Sequence, residues 1–383
     1  MKFFHLSDLH IGLKLMNRDL RKDQEYIFRQ IIQAAEREKP DVILIAGDIY
    51  DKATPSAEAV EVFNHFITDL TTLVPQTVIM MVSGNHDSGA RINCFRNVLS
   101  RQNLYMIGLP PQTEEEFIEK IILHDEYGNI NFYLLPFVKP SMLRQIVGTD
   151  ENGNHLSYNE TIHKLIGREE IDSGERNVLV SHQFYLPVGN NPAEVERMDS
   201  EIRTIGNIDE VSADILEKFD YAALGHIHKP MKVGSEYFRY CGTPLACSVS
   251  EAGQKKGIIM AEMKEKGEEI KISILPLNPL RQIRIIQGDL HEILMQACDD
   301  YVSIILTEQI DCDVVDIQEQ LRTSFPYLLE IKRKNVRKID YTRKSETHKE
   351  LDPFELCCEF LKDLDEIEED ILKDVINTVQ EVT

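Results

Sequence analysis

Residues 78–87 read VIMMVSGNHD, and the change of character within this stretch indicates the fold class. The first five residues are apolar, as in a strand that is buried on both faces. The next five are small or polar and bring an amide, an imidazole and a carboxylate together. In α/β proteins, functional residues lie in loops that follow buried strands, because the carboxyl ends of parallel strands meet at one edge of the sheet. The stretch therefore predicts an α/β sheet with a polar site at that edge.

The same unit of buried strand and polar loop recurs on both sides of this stretch. The predicted strands are Phe3–Ser7, Val42–Ala46, Val78–Val82, Phe132–Leu135, Val178–Ser181, Tyr221–Leu224, Gly257–Glu262 and Ile270–Leu275. The loops read DLH at 8–10, GDIYD at 47–51, GNHD at 84–87 and GHIH at 225–228, and His182 follows another strand. Helical spacing of apolar residues fills Asp19–Glu38 and Ser56–Leu70. Alternating strands and helices predict an α/β core.

The side chains in these loops suit divalent metal ions. Carboxylate, amide oxygen and imidazole together favour Mn²⁺, Fe²⁺ or Zn²⁺ over thiophilic ions. Residues two positions apart at a strand end point the same way, so Asp8 and His10 can hold one ion, and His226 and His228 can face one cavity. Each motif alone is weak, and a single histidine such as His182 is more often a buried histidine with ordinary hydrogen bonds. The ordered set of five motifs predicts a site for two metal ions.

In this order, D-x-H, G-D-x-x-D, G-N-H-D, H and G-H-x-H resemble the motif pattern of the calcineurin-like metallophosphoesterase superfamily. The resemblance covers about residues 1–275 and implies a four-layer αββα sandwich, with two sheets face to face and helices outside. It also implies two divalent ions and the ligands of each. One ion goes to Asp8, His10 and His228, the other to Asn85, His182 and His226, and Asp48 bridges both.

The resemblance also implies the catalytic roles. Two ions about 3.5–4 Å apart would activate a shared water and clamp a phosphate. His86 would face the phosphate and assist the leaving oxygen, and Asp51 would orient that imidazole. Asp87 either shares the role of Asp51 or only fixes the loop. Purple acid phosphatases have a tyrosine ligand at the position of Asp51, and Tyr50 of this chain should point away from the site.

A narrower resemblance is to the nuclease subunits of bacterial SbcCD complexes. It rests on His5–Gly12, Gly47–Asp51, Ser83–Ser88, Tyr240–Pro244 with Glu251 and Lys256, and Asp352–Leu356 with Phe360. It implies a manganese-dependent exonuclease on double-stranded DNA ends and endonuclease on single strands and hairpins, acting in DNA repair, replication and recombination. It further implies a coiled-coil ATPase partner of the SbcC type in a heterotetramer. Homodimerisation through helices near Ser56–Leu70 or Ala90–Leu99 is expected on the same ground.

The chain divides into three predicted parts. Residues 1–275 form the phosphoesterase domain, and Leu275–Pro279 is predicted to be a linker because two prolines interrupt regular structure. Residues 280–343 show a β-α-β-α-β pattern and would be a small α+β capping domain. Residues 345–383 would be a helical tail that docks on the ATPase. The tail carries 13 Asp or Glu and 3 Lys, so its charge favours a basic protein partner over DNA.

Two groups of surface residues are candidates for contacts with macromolecules. Candidate DNA-phosphate contacts are Lys14, Arg18, Lys332, Arg333, Lys334, Arg337 and Lys338. The alternative for the five residues from Lys332 to Lys338 is a solvated strand edge, where lysines discourage aggregation. Candidate partner contacts are Phe354, Leu356, Phe360, Leu361 and Leu364. The alternative for these is a helix packed against its own core.

Composition limits the remaining possibilities. The chain has 383 residues, 42% of them hydrophobic, and a net charge of −23, so a wide DNA-binding surface is not expected. No apolar run reaches the roughly 18 residues of a membrane span, and the N-terminal stretch lacks the apolar region of a signal peptide, so we expect a cytoplasmic protein. The seven cysteines contain no C-x-x-C pair, which disfavours disulfides and thiolate zinc sites. No phosphate-binding loop is present, so any ATP dependence must come from a partner.

Two other functions fit the same ligands. One is a phosphatase or phosphodiesterase acting on nucleotides or other small phosphate esters. The other is a scaffold subunit for an ATPase, with a secondary metal site. Truncation discriminates between the first of these and a nuclease. A small-substrate enzyme should keep its activity without residues 345–383, whereas a nuclease that docks on its partner should lose ATP-stimulated cleavage.

Overall fold

The computed structural model describes residues 1–187, 198–201, 209–307, 315–333, 353–361 and 366–382. The strands are β1 (Lys2–Leu6), β2 (Lys14–Leu15), β3 (Arg18–Asp19), β4 (Val42–Ala46), β5 (Val78–Val82), β6 (Leu104–Ile107), β7 (Glu119–Asp125), β8 (Gly128–Leu135), β9 (Arg176–Ser181), β10 (Phe184–Leu186), β11 (Glu210–Ser212), β12 (Tyr221–Leu224), β13 (Met231–Val233), β14 (Ser235–Tyr240), β15 (Lys256–Glu262), β16 (Lys271–Leu277), β17 (Ile283–Gly288), β18 (Tyr301–Leu306) and β19 (Leu328–Arg333). The helices are α1 (Arg21–Glu38), α2 (Ala57–Leu73), α3 (Gly89–Ile92), α4 (Arg96–Leu99), α5 (Pro140–Val147), α6 (Tyr158–Gly167), α7 (Leu290–Leu294), α8 (Val315–Ser324), α9 (Pro353–Leu361) and α10 (Glu366–Val382).

Two six-stranded sheets form the centre of the molecule. Their strand orders are β16-β15-β1-β4-β5-β6 and β13-β14-β12-β9-β8-β7. The four strands from β1 to β6 in the first order, and from β14 to β8 in the second, are parallel, and the strands added outside them pair antiparallel. The parallel strands of each sheet end at one edge, so the polar loops that follow them converge there.

The two sheets pack face to face, with helices outside. Between the sheets, the ring of Phe3 lies 6.2 Å from that of Phe132 and 5.1 Å from that of Tyr221. The outer face of the first sheet packs on α1 and α2, where the rings of Phe28 and Phe66 stack at 4.5 Å. The outer face of the second sheet packs on α5 and α6. The predicted four-layer αββα sandwich is therefore confirmed.

The predicted linker at Leu275–Pro279 is wrong in its first half. Strand β16 continues to Leu277 and includes Pro276, which lies opposite Gly257 of β15. Strand β16 is at the edge of its sheet, where a residue without an N–H costs no hydrogen bond on the open side. The proline therefore sits inside regular structure, and the connection to the next unit begins later.

The unit after β16 is a separate small sheet. Strands β17, β18 and β19 are all parallel and alternate with α7 and α8, which matches the predicted β-α-β-α-β order. It closes an apolar core of its own from Ile286, Ile293, Val302, Ile304, Leu306, Leu321 and Phe325. We call residues 283–333 of this unit the cap. The predicted domain limits at 275, 280, 343 and 345 stay a prediction.

The cap is held against helix α1 by a polar cluster. The Tyr301 hydroxyl donates to Asp23 Oδ2 at 2.9 Å. The guanidinium of Arg281 lies 3.7 Å from Asp23 Oδ1 and 4.0 Å from the centre of the Tyr327 ring. Asp23 is 2% exposed and Tyr301 is 5% exposed. A buried carboxylate with these partners fixes the cap to the first turn of α1.

A buried arginine stabilises the far end of the second sheet. Arg176 is 1% exposed, and its guanidinium donates to both carboxylate oxygens of Asp125 and to the carbonyls of Gly128 and Lys264. It thereby connects β9, the β7–β8 hairpin and the segment between β15 and β16. Burial raises the pKa of Asp125, but the hydrogen bonds from Arg176 and the N-terminal ammonium together outweigh burial and hold that pKa well below its usual range.

We expect Arg176→Met to lower the free energy of unfolding by about 3 kcal/mol at neutral pH, because Asp125 keeps its charge but loses the guanidinium and retains only the N-terminal ammonium, 3.0 Å away, as a charged partner. A carboxylate with a lowered pKa stabilises the fold above its unfolded pKa, about 3.9, and this contribution disappears as the pH falls. The deficit of the variant should therefore shrink at pH 3. Urea unfolding at both pH values measures it, with the exposed Arg101→Met as control. An equal deficit at both pH values would contradict the assignment to Asp125.

The C-terminal helices α9 and α10 contact each other. The Lys373 ammonium lies 5.1 Å from the centre of the Phe354 ring, while Phe360 is 85% exposed and Leu361 49% exposed. No helix among the described residues is both long enough and apolar enough to cross a membrane. The tail therefore keeps part of its apolar surface uncovered by the rest of the described chain.

Candidate metal centre

The loops of the centre that contain Asp8, His10 and Asp48 have unusual backbone geometry. Asp8, His10 and Asp48 have φ values of 53°, 42° and 48°. Backbone hydrogen bonds hold these conformations, from Asp8 N to Gly47 O at 2.9 Å and from His10 N to Asp48 O at 3.0 Å. Positive φ is uncommon outside glycine, and it persists where the surrounding structure enforces it, often at functional sites. His226, with a φ of 102°, is the fourth predicted ligand with a strained backbone.

Three predicted ligands form one cluster. Ligand atoms of Asp8, His10 and His228 lie within 4.8 Å of one another, and all three residues are buried. The Nε2 atoms of His10 and His228 are 3.1 Å apart. His10 Nδ1 is buried and makes no hydrogen bond within the described residues. Two imidazoles and a carboxylate converging in this way can hold a divalent ion.

Three further predicted ligands meet at one amide oxygen. Asn85 Oδ1 lies 2.9 Å from His182 Nε2 and 3.0 Å from His226 Nδ1. His182 Nδ1 donates to the carbonyl of Ala46 at 2.8 Å, so Nε2 carries the lone pair in the neutral ring. A protonated ring donates Nε2–H to this amide oxygen, whereas a neutral ring and the amide oxygen together offer two lone pairs to a shared metal ion. The donor set of this second cluster therefore also fits a metal ion.

Asp48 lies between the two clusters. Its Oδ2 atom is 3.3 Å from His182 Nε2 on one side and 3.7 Å from His10 Nε2 on the other. Burial raises the pKa of Asp48, but the neighbouring His182 and His86 outweigh burial and hold it well below its usual range. Burial lowers the pKa of His182, yet the charge of Asp48 raises it to about 9. The negative charge of Asp48 therefore favours positive charge in both clusters.

His86 is the most accessible imidazole of the centre. Its ring is 16% exposed, whereas those of His10 and His182 are 2% and 0% exposed. His86 Nδ1 donates to the backbone carbonyl of Asp51 at 2.9 Å, and Nε2 lies 4.0 Å from Asp48 Oδ2. The accessible Nε2 atom therefore faces the space in front of the two clusters.

Asp51, the residue predicted to orient His86, contacts that ring through its main chain. The main-chain oxygen of Asp51 orients His86, while its carboxylate lies 3.8 Å from His10 Nδ1. Asp87 fixes the loop, because its carboxylate accepts hydrogen bonds from the N–H groups of Ile49, Tyr50 and Gly84 at 2.9–3.0 Å. The Asp87 carboxylate therefore connects the loops at 47–51 and 84–87.

Gln24 is a supporting residue that the sequence reading missed. Its side chain donates to the carbonyls of His10 at 2.7 Å and Leu9 at 3.3 Å, and accepts from Gly12 N at 3.1 Å. Gln24 is 3% exposed on helix α1, next to Asp23, which binds the cap. Its residue type alone gave no signal of this role, because the contacts join α1 to a separate loop. One turn of α1 thus holds both the first metal loop and the cap.

The structure describes only part of the residues predicted to contact DNA or the partner. Lys14 is exposed on β2, but the Arg18 guanidinium donates to the carbonyl of Leu328 in the cap at 3.0 Å. Lys332 pairs with Glu330 at 2.8 Å. Arg333 ends β19. The predicted contacts outside the described residues are Lys334, Arg337, Lys338 and Leu364, and the Leu356 side chain is also undescribed.

Two family models match the chain. Residues 1–230 match the model described as calcineurin-like phosphoesterase, and residues 277–364 match one described as the type 5 capsule protein repressor C-terminal domain. The first match contains all seven predicted ligands and His86. Together with the two clusters, it defines a metal-dependent hydrolase of phosphate esters.

Curated relatives narrow the class. The SbcD subunit of the nuclease SbcCD from Staphylococcus saprophyticus is 31% identical over 298 residues, 77% of this chain and 74% of the relative. Its counterpart of the same name from Staphylococcus epidermidis is 31% identical over 297 residues, with coverage of 77% and 75%. A dimetal phosphatase structure from Danio rerio matches with a TM-score of 0.37 and 12% identity, over 73% of this chain and 98% of that chain. The chain belongs to the calcineurin-like phosphoesterase family and, within it, to the family of the SbcD nuclease subunits.

Proposed function

We propose that this chain is a manganese-dependent DNA nuclease that works with an SbcC-type ATPase in DNA repair, replication and recombination. Its substrates would be double-stranded DNA ends, cut as an exonuclease, and single strands and hairpins, cut as an endonuclease. The observation that carries the proposal is the convergence of the seven predicted metal ligands and His86 in a chain 31% identical to nucleases of the SbcCD complex. The protein would act in the cytoplasm.

In this proposal each cluster of the centre holds one ion. Asp8, His10 and His228 would bind the first ion and Asn85, His182 and His226 the second, with Asp48 shared between them. Mixed carboxylate, amide and imidazole donors without a thiolate suit Mn²⁺. When bound, the two ions lower the pKa of a water and neutralise charge on the phosphate oxygens.

The residues of the chain supply orientation and a proton. The carbonyl of Asp51 fixes the His86 ring through Nδ1, so that Nε2 faces the scissile ester. A proton on Nε2 can pass to the departing oxygen. Because His86 keeps contact with solvent while the ligands are buried, it can be reprotonated between turnovers.

Partner and DNA contacts follow from the uncovered surfaces. Phe95 and Val98, beside α4, are 73% and 62% exposed, which supports a homodimer through this region. Phe360 and Leu361 on α9 support docking of the acidic tail on the ATPase. Lys14, Lys332 and Arg333 remain candidate contacts to DNA phosphates. A chain with a net charge of −23 binds DNA weakly alone, which favours assembly with the ATPase into a heterotetramer.

The test is cleavage of a labelled DNA hairpin, with bis-p-nitrophenyl phosphate as a second substrate in parallel tubes. We expect both to need Mn²⁺, and DNA cleavage to rise with an SbcC-type ATPase and ATP. Removal of residues 345–383 should abolish the ATP-dependent rise and leave hydrolysis of the small diester unchanged. Hydrolysis of the diester with DNA left intact, even with the partner present, would replace the nuclease by a small-substrate phosphodiesterase.

A further inference from the structure

Every polar atom of His228 except one is held by a neighbour. Its backbone N–H donates to Glu201 Oε1 at 2.9 Å. Its carbonyl accepts from Lys256 Nζ at 3.0 Å. Its ring Nδ1 lies 2.7 Å from Ser200 Oγ. The remaining atom, Nε2, faces His10 in the metal centre. The environment of this residue therefore fixes which nitrogen reaches the first ion.

The direction of the hydrogen bonds follows from a buried carboxylate. Ser200 Oγ lies 2.8 Å from Glu251 Oε1, and an ionised carboxylate can only accept. The serine hydroxyl must therefore donate to Glu251, which leaves its oxygen to accept from Nδ1–H of His228. With the hydrogen on Nδ1, the lone pair of the neutral ring is on Nε2. The arrangement thus selects the tautomer that can bind metal.

The charge of Glu251 is maintained by a buried lysine. Lys256 Nζ lies 2.6 Å from Glu251 Oε2 and also donates to Thr243 Oγ1 at 2.8 Å. The side chains of Glu251 and Lys256 are 0% and 5% exposed. A buried ion pair rarely adds stability by itself, because two charges are removed from water. Its location behind His228 gives the pair a second role.

We propose that Ser200, Glu251 and Lys256 are positioning residues that present Nε2 of His228 to the first metal ion. The inference deepens the proposed function, because it assigns how one ligand of that site is prepared. Ser200 belongs to the short described segment 198–201, whose neighbour Glu201 holds the backbone of the same histidine. A segment outside the five motifs thus controls one half of the metal centre.

The test measures Mn²⁺ binding to the full chain by electron paramagnetic resonance and by calorimetry. Ser200→Ala should lower the affinity for one of the two ions about tenfold or more and leave the affinity for the other unchanged. Such a loss is expected when a residue that orients a metal ligand is removed. Ser200→Thr keeps the hydroxyl and should bind both ions as the wild type does. Ser141→Ala, which removes an exposed hydroxyl on α5 away from the centre, is the matched control.

Glu251→Gln provides a second variant with a different prediction for the hydrogen bonds. Lys256 and Thr243 both donate to Oε2, so the glutamine oxygen should stay there, and its NH₂ group should take the place of Oε1, which faces Ser200 and the N–H of Cys247. The serine would then donate to Nδ1 and place the hydrogen on Nε2, which must be displaced before metal binds. We expect the affinity of the same ion to fall by at least the same factor as in Ser200→Ala.

The outcomes separate this inference from the proposed function. A wild-type chain that binds two ions, with Ser200→Ala binding both equally well, would overturn the positioning role alone. A Ser200→Ala variant whose metal-free melting temperature falls while both affinities stay unchanged would overturn it too, since the effect would be structural. A wild-type chain that binds no Mn²⁺ would overturn the proposed function together with the inference.

Discussion

Replacement of Asp48 by asparagine should reduce the hydrolysis of bis-p-nitrophenyl phosphate by more than about a hundredfold, since even residues behind the ligands cost 10–100-fold in such sites. Asp48 Oδ2 lies within 3.7 Å of imidazoles from both clusters, so one carboxylate serves both proposed ions. Asparagine keeps the shape and one oxygen but removes the charge. The loss should therefore reflect weaker metal binding rather than misfolding.

The measurement combines initial rates with metal content. Rates are taken over a range of Mn²⁺ concentrations, and bound metal is counted after dialysis. Asp69→Asn, an exposed change of the same chemistry on α2, should keep the wild-type rate and metal content. An Asp48→Asn variant that retains two ions and more than a tenth of the rate would show that Asp48 does not bridge the ions.

Replacement of His86 by alanine should reduce the rate of DNA cleavage far more than the rate of hydrolysis of bis-p-nitrophenyl phosphate. Cleavage of DNA releases a poor leaving oxygen that needs a proton, so loss of the acid should cost about 10²–10⁴-fold. The p-nitrophenolate ion leaves without a proton, so hydrolysis of the small diester should fall much less. Metal content should stay the same, because Nδ1 of His86 is occupied by the Asp51 carbonyl and its ring lies in front of the clusters.

The geometry also groups His86 with His10 and Asp48, so the alternative that His86 binds metal is tested by the same variant. If His86 were a ligand, His86→Ala would lose bound metal and both substrates would suffer alike. His65→Ala, an exposed histidine on α2, is the control for loss of an imidazole. Equal losses on DNA and on the small diester would therefore contradict the proposed acid role.

The sequence predicts the central sheets well because their strands are fully buried. The predicted limits of β4, β5 and β12 coincide with those in the structure, and each is a continuous apolar run. The polar loops after such strands were also predictable, and the structure brings all seven predicted ligands together. Whether each of them binds metal stays a prediction.

Edge strands and the residues that support the metal centre were harder to predict, for physical reasons. Strand β7 alternates between exposed and half-buried residues, so it lacks the apolar run that marks the inner strands. The supporting roles of Gln24, Ser200 and Asp51 depend on contacts between segments distant in sequence, or on a backbone carbonyl whose side chain points elsewhere. Residue type alone carries no signal for such contacts.

The adjacency of Asp23 and Gln24 on α1 limits how this protein can be recombined with its relatives. Asp23 binds Tyr301 of the cap, and Gln24 binds the backbone of His10 in the first metal loop. A cap grafted from another chain would fit only if it carried a tyrosine hydroxyl in the place of Tyr301. An exchange of the cap alone would otherwise disturb Asp23, one residue away from the amide that holds the first metal loop.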